Sequence, residues 1–236
     1  MPNHVTNILT IDGVEEDINK LLKGINGGRD EEGHPVHIDF NKIIPMPESL
    51  NIPDSSDYEK GYYLYMAVEH GNYKGIDKML KYPWAQKEGI ATREEMVNYH
   101  LKNDDSYLEK GKQYYDNIQE YGHPTWYDWS CKNWGTKWNA YRSELVDDRQ
   151  IIFNTAWAGV PDLVSKLSEQ YPDVTLSYEF ADEDWGHNVG EYKFMAGECQ
   201  FVNVPKGGTP EAIEIATRIL GDYSYDDEDE DEMEGL

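Results

Sequence analysis

The chain is 236 residues long and carries 46 acidic against 21 basic side chains, a formal net charge of −25. No run approaches the roughly 18 apolar residues of a membrane span, and the opening residues lack the basic region and long apolar stretch of a secretory signal. Seven Trp, 18 Tyr and five Phe supply a large core and argue against a disordered chain. Two cysteines, Cys131 and Cys199, make no disulfide framework, which points to a reducing cytoplasm.

In chain order, 4–12 alternates as a strand and ends at the turn pair Asp12-Gly13. Val14, Ile18, Leu21, Leu22 and Ile25 form the apolar stripe of a helix, with Glu15, Glu16 and Asp17 in its favourable first turn. A Gly-rich loop leads to PVHIDFNKIIP, expected to be a strand closed by Pro45 and Pro47. Residues 48–57 resemble a linker, and 58–121 turn helical and Tyr-rich. That segment is expected to be a helical insertion within one domain, without a core of its own. After the aromatic stretch 125–141, two strands joined at Val146-Asp147-Asp148 suggest a hairpin. A helix over 160–171 follows, with Pro161 at its first position. VTLSYEF, GEYKFMA and ECQFVNV read as three strands. Thr209 starts a last helix that turns Ile213, Ala216 and Leu220 inward and ends at Gly221.

Strand–helix–strand at 4–44 and again at 150–180 implies an α+β fold: a ferredoxin-like, mostly antiparallel sheet with helices on one face. The expected organisation is one ferredoxin-like domain over 1–221, with the insertion at about 58–121. An acidic, flexible tail over 222–236 completes it. Residues 222–234 hold nine acids and no base, and the remainder is still −16. A surface of this sign repels phosphates, so nucleic acid is an unfavourable partner.

FNKIIPMPESL (40–50), WGTKWNAY (134–141) and FNTAWAGVP (153–161), with the opening Asn7-Ile8-Leu9-Thr10-Ile11, resemble the YubB-type ferredoxin-like family of phages, plasmids and prophages. The resemblance runs over roughly 1–205. The family's usual Ser-Pro-Pro after the strand Trp is replaced here by Ala158-Gly159-Val160-Pro161. The resemblance implies the fold and an accessory role for a mobile element inside a bacterial host. It supplies no enzyme activity and no catalytic residues.

Trp126, Trp129, Trp134 and Trp138 fall within 13 residues. They are expected either to staple the insertion to the sheet through buried indoles or to form an aromatic platform with Lys132, Lys137 and Asn139. Phe153 and Trp157 read as two pleats apart on one strand face, and Tyr192 and Phe194 lie on another strand. Without a basic-aromatic RNA-binding motif they read as core. Asp182, Glu183 and Asp184 form a charged turn or an acidic docking patch. His34 and His37 have a spacing metals use but lack supporting ligands, so no metal site is expected. No phosphate-loop, dinucleotide or nucleophile-elbow motif occurs, so no cofactor is expected. The leading reading is a non-enzymatic factor that binds a host protein, with counter-defence or nucleic-acid mimicry as its use. The alternative is a small-ligand or single-stranded nucleic-acid binding module with an aromatic surface. Oligomeric state is left open.

Overall fold

The computed structural model describes residues 3–30, 32–104 and 106–222. In chain order the regular elements are β1 (His4–Asp12), α1 (Glu15–Ile25), β2 (Gly28–Arg29), β3 (Pro35–Val36), α2 (Ser56–His70), α3 (Lys74–Met79), α4 (Pro83–Lys87), α5 (Arg93–Asn103), α6 (Tyr107–Tyr121), α7 (Trp126–Asn133), β4 (Tyr141–Leu145), β5 (Gln150–Ala156), α8 (Pro161–Gln170), β6 (Thr175–Asp182), β7 (Val189–Met195), β8 (Glu198–Asn203) and α9 (Pro210–Asp222). Two compact units result: a sheet unit from the residues up to Pro45 and from Ser130 onward, and a helical unit over Met46–Trp129.

The sheet runs β4-β5-β1-β6-β7-β8, with every neighbour antiparallel. Its first four strands have the ferredoxin-like order, two strand–helix–strand units interleaved through β1 and β5. The partner strand of the first unit differs from the expectation. PVHIDFNKIIP yields only the two-residue β3 and then a 3-10 turn at Phe40–Lys42, started by the Asp39 carboxylate accepting from Asn41 N. The strand that completes the unit is β4, beyond the helical segment.

Successive strand residues face opposite ways, and here both faces are apolar. Tyr178 points to the α8 side, where its hydroxyl accepts from Val160 N at the start of that helix at 2.6 Å. Glu179, next along β6, points away and accepts from Arg218 of α9 at 2.6 Å. The last helix therefore covers the face opposite α8. It packs Ala212, Ile215, Ala216 and Ile219 against Ile8, Ile152, Ala181 and Val189. The expected placement of all helices on one face fails for α9, because Ile8, Ile152 and Val189 need a cover of their own. The inward stripe is also rotated: Ala216 is buried as expected, but Ile213 is exposed and Leu220 only partly buried.

The helical unit is wider than the expected 58–121 and has a separate apolar cluster of Leu64, Ala67, Ile76, Met79, Ala85, Ile90 and Met96. It is thus a compact unit with its own core rather than a coreless elaboration. Its principal packing, α2 on α6, is set by two glycines. A Cβ on Gly61 would lie 2.6 Å from Tyr107 O, and one on Gly111 would strike the Gly61 carbonyl. Tilted ring pairs flank this crossing, Tyr62 with Tyr114 at 5.2 Å and Tyr65 with Tyr115 at 5.5 Å. The Tyr-rich composition of the segment is used here, as ring-on-ring packing around a close backbone approach. The acidic tail expected from 222 lies outside the described residues, apart from Asp222, which ends α9.

Candidate binding surface at one end of the sheet

One buried polar network shapes the corner where β5 leaves the sheet. Asn7, fully buried on β1, donates to Val5 O (2.8 Å), Phe153 O (3.2 Å) and Thr155 Oγ1 (2.9 Å). Its Oδ1 accepts from the Tyr178 hydroxyl at 2.5 Å. Thr155 Oγ1 in turn donates to Ala158 O at 2.7 Å. Complete burial holds the Tyr178 hydroxyl well above its ordinary pKa, so it stays a donor at any physiological pH. Gly159 belongs to the same corner: a Cβ there would sit 2.5 Å from the Phe180 ring. The Ala-Gly-Val-Pro step thus has a packing cause.

Trp157 stands at the same corner, and not on the face of Phe153 as its spacing suggested. Phe153 is fully buried, but Trp157 lies past the strand end, 42% exposed, with φ +71°. Its N–H donates to Asn3 O (3.0 Å), and its carbonyl accepts from Asn188 Nδ2 (2.9 Å). Left-handed backbone is costly for a bulky residue; here both backbone polar groups are held. Tyr192 and Phe194 stack at 5.6 Å on the α8 face, continuous with Phe180 and Tyr178. They belong to the core side, as expected.

The segment Trp134–Ala140 is a clip with a small exposed residue. Trp134 is buried, with Nε1 donating to Ile44 O (2.9 Å). Thr136 Oγ1 brackets β5 by donating to Ala156 O (2.7 Å) and accepting from Ala156 N (3.1 Å). Asn139 Oδ1 accepts from Phe40 N (2.8 Å), and its Nδ2 donates to Asp39 (2.7 Å). These anchors leave Lys137 and Trp138 half-buried, and Lys137 Nζ lies 4.6 Å from the Trp138 ring and 5.1 Å from the Trp157 ring. A cation between two indole faces is attracted by both ring quadrupoles. Trp138 continues to Tyr141, whose hydroxyl meets His4 Nδ1 at 2.6 Å.

The acidic candidates lie at the same end of the sheet, because Glu183 N donates to His4 O where β1 pairs with Ala156. They divide by role. Asp182 is buried and accepts from Asn3 Nδ2 (3.1 Å), Asp184 N (2.9 Å) and Asn188 Nδ2 (2.8 Å). It closes the β6–β7 turn and presents no charge to a partner. Glu183 and Asp184 are exposed, followed by Trp185 at 47% exposure. Trp126 and Trp129 belong to the helical unit, half-buried and buried respectively, and the side chain of Lys132 is exposed. Of the four clustered tryptophans, Trp129 and Trp134 are buried and Trp126 and Trp138 half-buried. The exposed indoles are Trp157 and Trp185, which local composition did not mark.

His34 lies beside Asp30 and Glu32 at 3.4 and 3.5 Å on the surface, while His37 uses its backbone N to reach Ser143. Among the described residues no group of three or more His, Cys, Asp or Glu side chains is placed to hold a metal ion. No helix among them is long and apolar enough to cross a membrane.

Residues 133–234 match the family model described as the ferredoxin-like domain in Api92-like protein. The matched stretch takes in β4 to β8 and α9. It begins far from the N-terminus and reaches into the acidic tail, whereas the resemblance read from motifs spans roughly 1–205. Among solved structures, that of the protein api92 from Yersinia pseudotuberculosis aligns at 8% sequence identity and a TM-score of 0.43, covering 89% of this chain and 100% of that one. No curated protein matches the chain.

Proposed function

We propose that the protein is a non-enzymatic accessory factor of a phage or other mobile element that binds a host protein. The contact is made by the sheet end built on Trp157. One observation carries this reading: a tryptophan 42% exposed at φ +71°, where glycine would be at ease, with its backbone tied on both sides. Left-handed backbone is strained for a bulky side chain, and such strain concentrates at functional sites. Tryptophan is also enriched, with tyrosine and arginine, among the residues that anchor protein interfaces. Glu183 and Asp184 at the same end favour a basic partner surface, with counter-defence by imitation of nucleic acid as its use.

Trp157→Gly separates function from folding. It should abolish capture of the host partner while leaving stability within about 1 kcal/mol of wild type, the relieved backbone strain offsetting the lost indole contacts with Lys137. Capture equal to wild type would contradict the reading. Glu183→Ser with Asp184→Asn should weaken capture, most at low salt, and duplex DNA should compete. Asp182 is unsuited to that test because its loss opens the turn.

Lys137 between two indoles favours the second reading, a planar small ligand or single-stranded base stacked there. Quenching of tryptophan fluorescence by nucleotides, lost in Trp157→Gly, would decide for it.

A further inference from the structure

Strand β8 ends the sheet, and its outer edge has no strand partner among the described residues. The opposite edge is protected: beside β4, His37 N donates to Ser143 Oγ at 2.8 Å, and β3 packs along it. Natural sheets blunt open edges with lysine, proline or a covering element. Within Glu198–Asn203 β8 has none of these; Pro205 and Lys206 follow it, and its ladder with β7 shifts register between Lys193 and Phe194. Residues 198–202 are all exposed, with Phe201 at 51% and Val202 at 57%, and Val204 beyond them is exposed as well. The apolar side chains project on both faces, since Val202 pairs across to Tyr192 and Phe201 to Lys193.

The segment is self-complementary in charge. Glu198 opens it, Lys206 closes it, both exposed, and Val202 stands midway. Laid antiparallel on a second copy about Val202, it sets Val202 against Val202. Phe201 then faces Asn203, and the Glu198 end of each copy meets the Lys206 end of the other. This is the two-fold, isologous arrangement of most homodimers. Opposite charges across such a pair are favourable, and a parallel or shifted pairing forfeits them.

We propose that the outer edge of β8 pairs with β8 of a second copy of this chain, joining two six-stranded sheets into one. Two copies of charge −25 repel, so added salt strengthens this association. It has the opposite effect on docking to a basic partner, so the two surfaces are distinguishable.

Sedimentation equilibrium of the full chain over a range of protein and salt concentrations is the test. The expected result is a dimer that tightens with salt, and a Val202→Lys variant at least tenfold weaker with an unchanged thermal melt. Register is read by disulfide formation in a Cys199→Ser background. Val202→Cys should cross-link without reductant, because facing residues approach to about 4.5–5.5 Å between Cβ atoms. Gln200→Cys, which faces Val204, should not. A wild-type monomer at every concentration, or a Val202→Lys variant that dimerises as wild type does, overturns the proposal. Cross-linking through Gln200→Cys but not Val202→Cys overturns the register.

Discussion

In the sheet unit, the fully buried Asn7 finds a partner for every polar atom, and its network runs on through Tyr178, Val160, Thr155 and Ala158. In the helical unit, the buried His100 is ringed by Trp84, Tyr99 and Tyr107, and its Nε2 meets no hydrogen-bond partner. The sheet unit's own exception is Asn154 Oδ1, a neutral amide oxygen rather than a titrating group. The difference has a functional sense. A strained, exposed Trp157 needs a rigid corner, and a satisfied buried network supplies one. The helical unit packs by shape, through glycines and rings, and keeps a group that cannot accept charge without cost.

Three substitutions break or sharpen this contrast. The largest effect is expected from Gly111→Ala. Helix propensity favours the change by up to about 1 kcal/mol, but the new Cβ meets the backbone carbonyl of Gly61, which cannot swing aside as a side chain would, so the cost exceeds the usual overpacking cost of about 1–3 kcal/mol. Net destabilisation, read as faster hydrogen exchange in α2 and α6, is the expected outcome; slower exchange would show that the crossing adjusts freely. Next comes Tyr178→Phe, which leaves Val160 N and Asn7 Oδ1 without their shared partner, at about 1–3 kcal/mol. It should also release the corner holding Trp157, seen as a shifted indole fluorescence. A melt equal to wild type would mean the network is decorative.

The smallest effect concerns pH. Burial, with Lys60 adding to it and Asp57 opposing, lowers the His100 pKa below its ordinary 6.5. The unfolded chain therefore takes up this proton before the folded one does. The stability of the helical unit is full above about pH 6.5 and falls as pH drops below it. The lowered carboxylates of the same unit, Glu59, Asp77, Glu95 and Asp104, contribute stability that is lost only in stronger acid, Asp104 being held at about 2 chiefly by the Ser106 hydroxyl and then Lys110. His100→Phe should remove the response between about pH 7.5 and 5.5.

Much of the sheet was legible because β1, β5, β6 and β7 are short runs rich in β-branched and aromatic residues between turn signals, and α8 announces itself with Pro161 and a regular stripe. PVHIDFNKIIP misled because its apolar residues suit a strand equally well, and only the Asp39 side chain and the chain reversal at Phe40 turn it into a 3-10 segment. The separate core of 46–129 was hidden because its apolar residues are spread over four helices and the loop at Ile90, and its tightest packing is made by Gly61 and Gly111. At the candidate surface, Lys137, Trp138, Glu183 and Asp184 were found from composition. Trp157 was not, because a strand-like F-x-T-A-W run gives no sign that its last residue turns left-handed. Asp182 was grouped with its acidic neighbours because nothing local reveals the distant donor Asn3.

Hydrogen exchange measured residue by residue at about pH 7.5 and about pH 5.5, corrected for intrinsic rates, tests the contrast most directly. The account predicts that protection in α2, α5 and α6 falls at the lower pH, while β1, β5 and β6 keep theirs, and that His100→Phe abolishes the change. Equal loss in both units, or loss confined to the sheet, would contradict it.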